Sequence, residues 1–185
     1  MEEIHETAKA YYNNLTEDQK DGANKMFQSM DLNGDGSVSL SEYLEILGKK
    51  GYKSCNNPNF FMELDRNGDG NLDFEEFLSL YYLIKSERLL FCDGHGCGAF
   101  LKGLYFTCAR CFQREMNSFD LCSSCFNGKN FRHNHATFLD NFALLRCMAT
   151  GYRNKTKGAS QAIETGFDIV EFIVSISTNN ECSIL

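Results

Sequence analysis

Residues 31–42 read DLNGDGSVSLSE, and residues 65–76 read DRNGDGNLDFEE. The second run repeats the twelve-place pattern of the first, 34 residues later. Oxygen-bearing side chains fall at places 1, 3 and 5: Asp31, Asn33 and Asp35, then Asp65, Asn67 and Asp69. Place 6 is Gly36 or Gly70, where a chain wrapping an ion must turn sharply. Ser37 and Asn71 would offer backbone carbonyls from place 7, and Ser39 and Asp73 act from place 9, usually through water. Glu42 and Glu76 close the runs with side chains long enough to reach back with both oxygens. Oxygen-only ligands in this order suit a hard cation, and Ca²⁺ above all. A pair of ordinary Asp/Gly turns would not repeat Gly at place 6 and Glu at place 12.

Both loops resemble the EF-hand family at every ligand position, and Val38 and Leu72 supply the apolar eighth residue expected where paired loops exchange a short β-contact. The flanks agree with helices. Thr16 and Gln19 read as a capping box. Met26, Phe27 and Met30 stripe the first helix. Pro58 suits the first turn of the third, ahead of Phe60, Phe61 and Leu64. Phe77, Leu80, Tyr81 and Ile84 stripe the fourth. The first loop carries three acids at ligand places and the second four, so the second is expected to bind more tightly.

Nine cysteines occur, six of them between Cys92 and Cys125, with Cys55, Cys147 and Cys182 apart. The first ten residues, MEEIHETAKA, lack the apolar stretch of a secretory signal. Reduced thiols and a cytoplasmic setting are therefore expected, with metal a better reading than disulfides. The spacing is Cys92-x4-Cys97, Cys108-x2-Cys111, Cys122-x2-Cys125 and His133-x-His135. Eight such ligands suffice for two closed tetrahedral Zn²⁺ sites. A segment this short buries little core of its own, so metal would supply folding energy.

The run YFTCARC, FDLCSSCF and HNHATF resembles a ZZ-type zinc finger over about 50 residues. The resemblance implies an interleaved cross-brace. Cys92, Cys97, Cys122 and Cys125 would hold one zinc, and Cys108, Cys111, His133 and His135 the other. There is one departure: four residues, not two, separate the first cysteines, and His95 stands where the shorter spacing would put a ligand. Cys97 is preferred because its distance to Cys108 keeps the family spacing and a thiolate completes an all-Cys site; His95 remains the alternative. Several ZZ fingers hold a peptide's free N-terminus with acidic residues. Asp93 and Asp120 match two such places, while Ser118 occupies a third that is often acidic. Asp120 has a second reading, as N-cap of a short helix LCSSCFNG ending at Gly128.

The net charge of −7 argues against nucleic acid as a partner. No apolar run reaches the length of a membrane span, and Glu2 replaces the Gly that myristoylation needs. The chain ends in Cys182-Ser183-Ile184-Leu185, which resembles a C-a-a-X signal with a terminal Leu of the geranylgeranyl type. One prenyl chain anchors only marginally. An amphipathic helix around 167–176 is expected to supply a second signal, since Arg153, Lys155 and Lys157 lie well upstream of the cysteine.

The expected architecture is mainly α with a small zinc-stabilised α+β module: an N-terminal segment (1–14), an EF-hand pair (15–88), a cross-brace ZZ-type finger (89–140) and a helical tail (141–185). The stretch FLSLYYLIKSERLLFC joins the halves without a Gly-, Pro- or Ser-rich linker and is compatible both with a stiff joint that passes a Ca²⁺-dependent helix rotation to the finger and with plain tandem tethering. The expected function is a Ca²⁺-responsive, membrane-associable adaptor that binds two Ca²⁺, two Zn²⁺ and a protein or peptide. A Ca²⁺ buffer with a structural finger and a ubiquitin-pathway component are the alternatives. No nucleophile–base constellation points to an enzyme.

Overall fold

The computed structural model of the chain describes residues 1–49, 51, 58–113 and 118–157. Cys55, Cys182 and residues 167–176 lie outside the described residues. Helices dominate, accompanied by two small sheets, and the chain divides into two compact units, Met1–Leu90 and Phe91–Leu185.

The first unit contains α1 (Glu2–Asn13), α2 (Glu17–Met30), β1 (Val38–Ser39), α3 (Leu40–Lys49), α4 (Pro58–Leu64), β2 (Asn71–Leu72) and α5 (Phe74–Lys85). Thr16 opens α2 with a reciprocal capping box: its hydroxyl accepts the Gln19 N–H, and the Gln19 side chain accepts the Thr16 N–H. Pro58 occupies the first turn of α4, where its missing N–H has no intrahelical role. Strands β1 and β2 pair antiparallel, with Val38 opposite Leu72 and Ser39 opposite Asn71. Both apolar partners are fully buried. This contact joins the two carboxylate loops through the backbone.

Met30, Tyr43, Leu47, Phe60, Phe61, Leu64, Phe77, Leu80 and Leu83 belong to the same core. Phe27 meets Phe74 and Phe77 edge-on at 5.3 and 5.2 Å, a favoured aromatic geometry. Sequence reading assigned no structure to residues 1–14, yet α1 packs on α5 and buries Ile4, His5 and Ala8. Two ion pairs flank that seam: Glu2 with Arg66 at 2.6 Å and Lys9 with Glu75 at 2.7 Å. Helix α5 stops at Lys85. Glu87 then takes a left-handed conformation, φ 55°, so the helix does not continue to Cys92.

The second unit contains β3 (Tyr105–Cys108), α6 (Ala109–Gln113), β4 (Asp120–Cys122), α7 (Ser123–Asn127), β5 (Phe138–Asp140) and α8 (Asn141–Lys157). Its antiparallel sheet runs β4-β3-β5. The expectation that Asp120 caps α7 is corrected here. Asp120 lies in β4, paired opposite Thr107, and Cys122 is the N-cap, its sulfur accepting the Cys125 N–H. The strand persists to Cys122 because β3 offers a partner that no local signal reveals. Gly128 does end α7.

Candidate metal centre

The two carboxylate loops are near copies in their hydrogen bonds. Asp31 accepts the N–H of Gly34 (2.8 Å) and of Gly36 (2.9 Å), and Asp65 those of Gly68 (2.7 Å) and Gly70 (2.9 Å). Gly36 and Gly70 have φ of 88° and 87°, a region costly for residues with a Cβ. Asn33 and Asp35 interlock side chain to side chain, as do Asn67 and Asp69. The N–H groups of Ser37 and Asn71 bind the aspartate two residues back.

Glu42 and Glu76 fold back over their loops. Glu42 Oε1 accepts from the N–H of Leu32 (2.8 Å) and Asn33 (3.1 Å). Glu76 Oε1 accepts from Arg66 (2.8 Å) and Asn67 (3.1 Å). These side chains belong to residues only 7 % and 5 % exposed. Neither has an ion-pair partner among the described residues. The Ser39 hydroxyl and N–H, followed by the loop N–H groups, hold Glu42 below the usual carboxylate range. A buried anion supported only by dipoles is a favourable place for a cation. The residues present therefore fit Ca²⁺: Asp31, Asn33, Asp35, Ser37 and Glu42 would hold an ion in the first loop, and Asp65, Asn67, Asp69, Asn71, Asp73 and Glu76 would hold one in the second. Asp73 has a structural task too: its carboxylate caps α5 by accepting the Glu76 N–H at 2.8 Å.

In the second unit, Cys92, Cys97, Cys122 and Cys125 form one cluster, and Cys108, Cys111, His133 and His135 another. In each, all four ligand atoms lie within 4.8 Å of one another. Local structure explains the placement. Cys108 ends β3 and Cys111 sits in α6; Cys122 ends β4 and Cys125 sits in α7. Each strand-to-helix turn thus aims two thiols to one side. Cys92 and Cys97 flank a turn closed by the Cys97 N–H to Gly94 O (3.0 Å), with Gly96 and Gly98 at positive φ. His95 is exposed on that turn. Its backbone is held by Asn130, N–H to carbonyl at 2.9 Å and side-chain amide to His95 O at 3.0 Å, and it belongs to neither cluster.

The distances fit a specific geometry. A tetrahedral zinc with Zn–S near 2.3 Å and Zn–N near 2.0–2.1 Å places sulfurs about 3.8 Å apart and nitrogens about 3.3 Å apart. Cys97 and Cys122 sulfurs are 3.9 Å apart. Cys111 Sγ lies 3.3 Å from His133 Nε2 and 3.5 Å from His135 Nδ1, Cys108 Sγ 3.5 Å from the same Nδ1, and the two imidazole nitrogens 3.2 Å apart. The four-sulfur set is also supplied with donors that favour thiolates: Gly94 and Cys122 N–H to Cys92, Cys125 N–H to Cys122, and the Asn130 amide to Cys125. Burial pushes the Cys92 thiol up to about 12. For Cys122 burial is outweighed by its hydrogen bonds, which lower it. Burial, then neighbouring His135, lowers His133 and favours the neutral imidazole that binds metal.

Sequence reading missed three supports. Gly94 is one: a Cβ there would stand 2.4 Å from Cys125 Sγ, so only glycine lets this turn approach the cluster. Asn130 is another. The third is Phe119, whose ring stacks on His133 at 4.2 Å.

The two acids expected to meet an ammonium differ sharply. Asp93 is exposed, with Oδ2 accepting the Asp120 N–H at 2.7 Å. Asp120 is buried, and both its oxygens take hydroxyls, from Thr107 and from Ser118.

Residues 1–80 match the family model of the secreted protein acidic and rich in cysteine Ca binding region. The matched stretch runs from α1 into α5, contains both carboxylate loops, and has one cysteine, Cys55. This chain is thus similar to a calcium-binding region over less than half its length. No curated protein and no solved structure matches it.

Proposed function

We propose that the protein is a Ca²⁺-responsive adaptor, built from an EF-hand pair that binds two Ca²⁺ and a ZZ-type finger held by two Zn²⁺. The observation that carries this reading is the coexistence of two chemically distinct ligand sets in one chain: repeated oxygen loops joined by the Val38–Leu72 pairing, and two tetrads of sulfur and nitrogen at tetrahedral spacing. Four protein ligands per tetrad leave no open position for a substrate, which favours a structural metal and a binding role over catalysis. The finger's partner is a protein or peptide, with Asp93 offering a carboxylate to a free N-terminus. Geranylgeranylation at Cys182 would make the protein partly membrane-associated.

The test is affinity capture from cytosolic and membrane extracts by the zinc-loaded full chain, in Ca²⁺ or in chelator, with the bound proteins identified by mass spectrometry. An adaptor retains a partner set that changes with Ca²⁺. A buffer retains the same proteins in both conditions.

A further inference from the structure

Helix α8 docks by one side and leaves another bare. Asp140 Oδ1 accepts the N–H of Phe142 and Ala143 at its start (3.1 and 3.0 Å), and the Asn141 amide donates to Gly103 O at 3.2 Å. Leu144 is 3 % exposed and packs with Ala109, Phe112 and Leu139. These contacts fix the helix on its unit. Other large apolar residues of the helix stay exposed: Phe142, two places before Leu144, is 62 % exposed, Leu145, one place after, 60 %, and Met148, one turn on, 41 %. At a three-residue interval they form a continuous apolar stripe about 9 Å long. Large apolar side chains gathered in this way mark an interaction surface.

Charge identifies the occupant. Helix α8 carries Arg146, Arg153, Lys155 and Lys157 and no acidic residue, within a chain of net charge −7. Its complement is anionic. The outer side of a helix is convex, so it offers no slot for a peptide's side chains, whereas a convex apolar stripe accompanied by basic residues is suited to lie in the headgroup layer of a bilayer. No helix among the described residues is long and apolar enough to cross a membrane. We propose that α8 is a membrane-surface helix that inserts Phe142, Leu145 and Met148 into lipid, the net positive charge of its sequence favouring an anionic surface. This site is separate from the prenyl group proposed at Cys182 and from the 167–176 stretch.

Vesicle flotation tests it, using the full zinc-loaded chain carrying Cys182→Ser, so that no prenyl group contributes. Vesicles of phosphatidylcholine alone are compared with vesicles containing phosphatidylserine, at low and high KCl. The protein is expected to float with the phosphatidylserine vesicles and to be released by salt. Phe142→Ser with Leu145→Ser should weaken that binding about tenfold or more, and Lys155→Gln with Lys157→Gln should weaken it several-fold. Zinc content equal to the parent protein's would show that these variants keep the unit folded. Equal binding to both vesicle types, or binding unchanged in the Phe142/Leu145 variant, overturns the proposal. So does absence of flotation, and a dimer in sedimentation that dissociates on the Phe142/Leu145 change would then identify a second copy as the true cover.

Discussion

Asp93 and Asp120 are tied in both directions: the Asp93 N–H donates to Asp120 O at 2.7 Å, and the Asp120 N–H donates to Asp93 Oδ2 at 2.7 Å. The pair therefore divides its work. Asp120 spends both carboxylate oxygens on Thr107 and Ser118 inside the unit, while Asp93 is exposed.

Asp120→Ala is expected to destabilise the Cys/His unit by about 3 kcal/mol, because the buried Thr107 hydroxyl loses a charged acceptor. Asp93→Asn keeps an oxygen for the Asp120 N–H and should leave stability nearly unchanged. It should, however, weaken binding of a peptide with a free N-terminus, and acetylating that peptide should weaken the parent protein equally. Thermal unfolding and peptide titration separate the two effects.

For calcium, Glu76→Gln removes a buried charge that folds back over its loop. We expect roughly 100-fold weaker binding at that loop, about 3 kcal/mol. Calorimetry should then find one tight site instead of two.

For zinc, Cys97→Ala should release one ion and unfold the unit, since structural zinc supplies on the order of 10 kcal/mol of folding free energy. His95→Ala should retain two. Metal analysis by mass spectrometry after gel filtration reads both results.

A pH dependence follows from His5. It is 4 % exposed, its Nδ1 meets Ser79 Oγ at 2.5 Å, and its Nε2 has no hydrogen-bond partner among the described residues. Burial, then the Arg66 charge, lowers it from 6.5; the N-terminus acts the same way, and Glu2 and Glu76 oppose. With a depressed folded value, its contribution to stability is complete above the unfolded value of 6.5 and is lost as pH falls through the folded one. Denaturant unfolding of the first unit should show a loss as pH falls below 6.5 that His5→Leu with Ser79→Ala diminishes, while the loss carried at lower pH by Glu42 remains.

For the tail, intact mass of protein from a eukaryotic host should show a prenyl group at Cys182 and loss of the last three residues. Cys182→Ser should shift the protein toward the soluble fraction.

Legibility in the sequence depended on how local each cause was. The ligand loops and the C-x2-C pairs are set by neighbours a few residues apart, so Asp31, Glu42, Cys108 and Cys111 stood out from spacing alone. Helix α1 did not, because Ile4 and Ala8 become core only against α5, far along the chain. Asp120 was misplaced for the same reason: its strand exists through pairing with β3, while its sequence context offered only a capping residue beside a short helix. Gly94 gave no signal, since its need to be small arises from Cys125, 31 residues away.

The seam between α1 and α5 also sets an order of events during synthesis. Helix α1 leaves the ribosome well before α5, and the surface that buries Ile4, His5 and Ala8 is made only when residues 74–85 emerge. The calcium unit consequently closes its ends upon each other late, as one long-range step. A nascent chain stalled before α5 would carry both partners of the Val38–Leu72 contact and still lack the helix that receives α1.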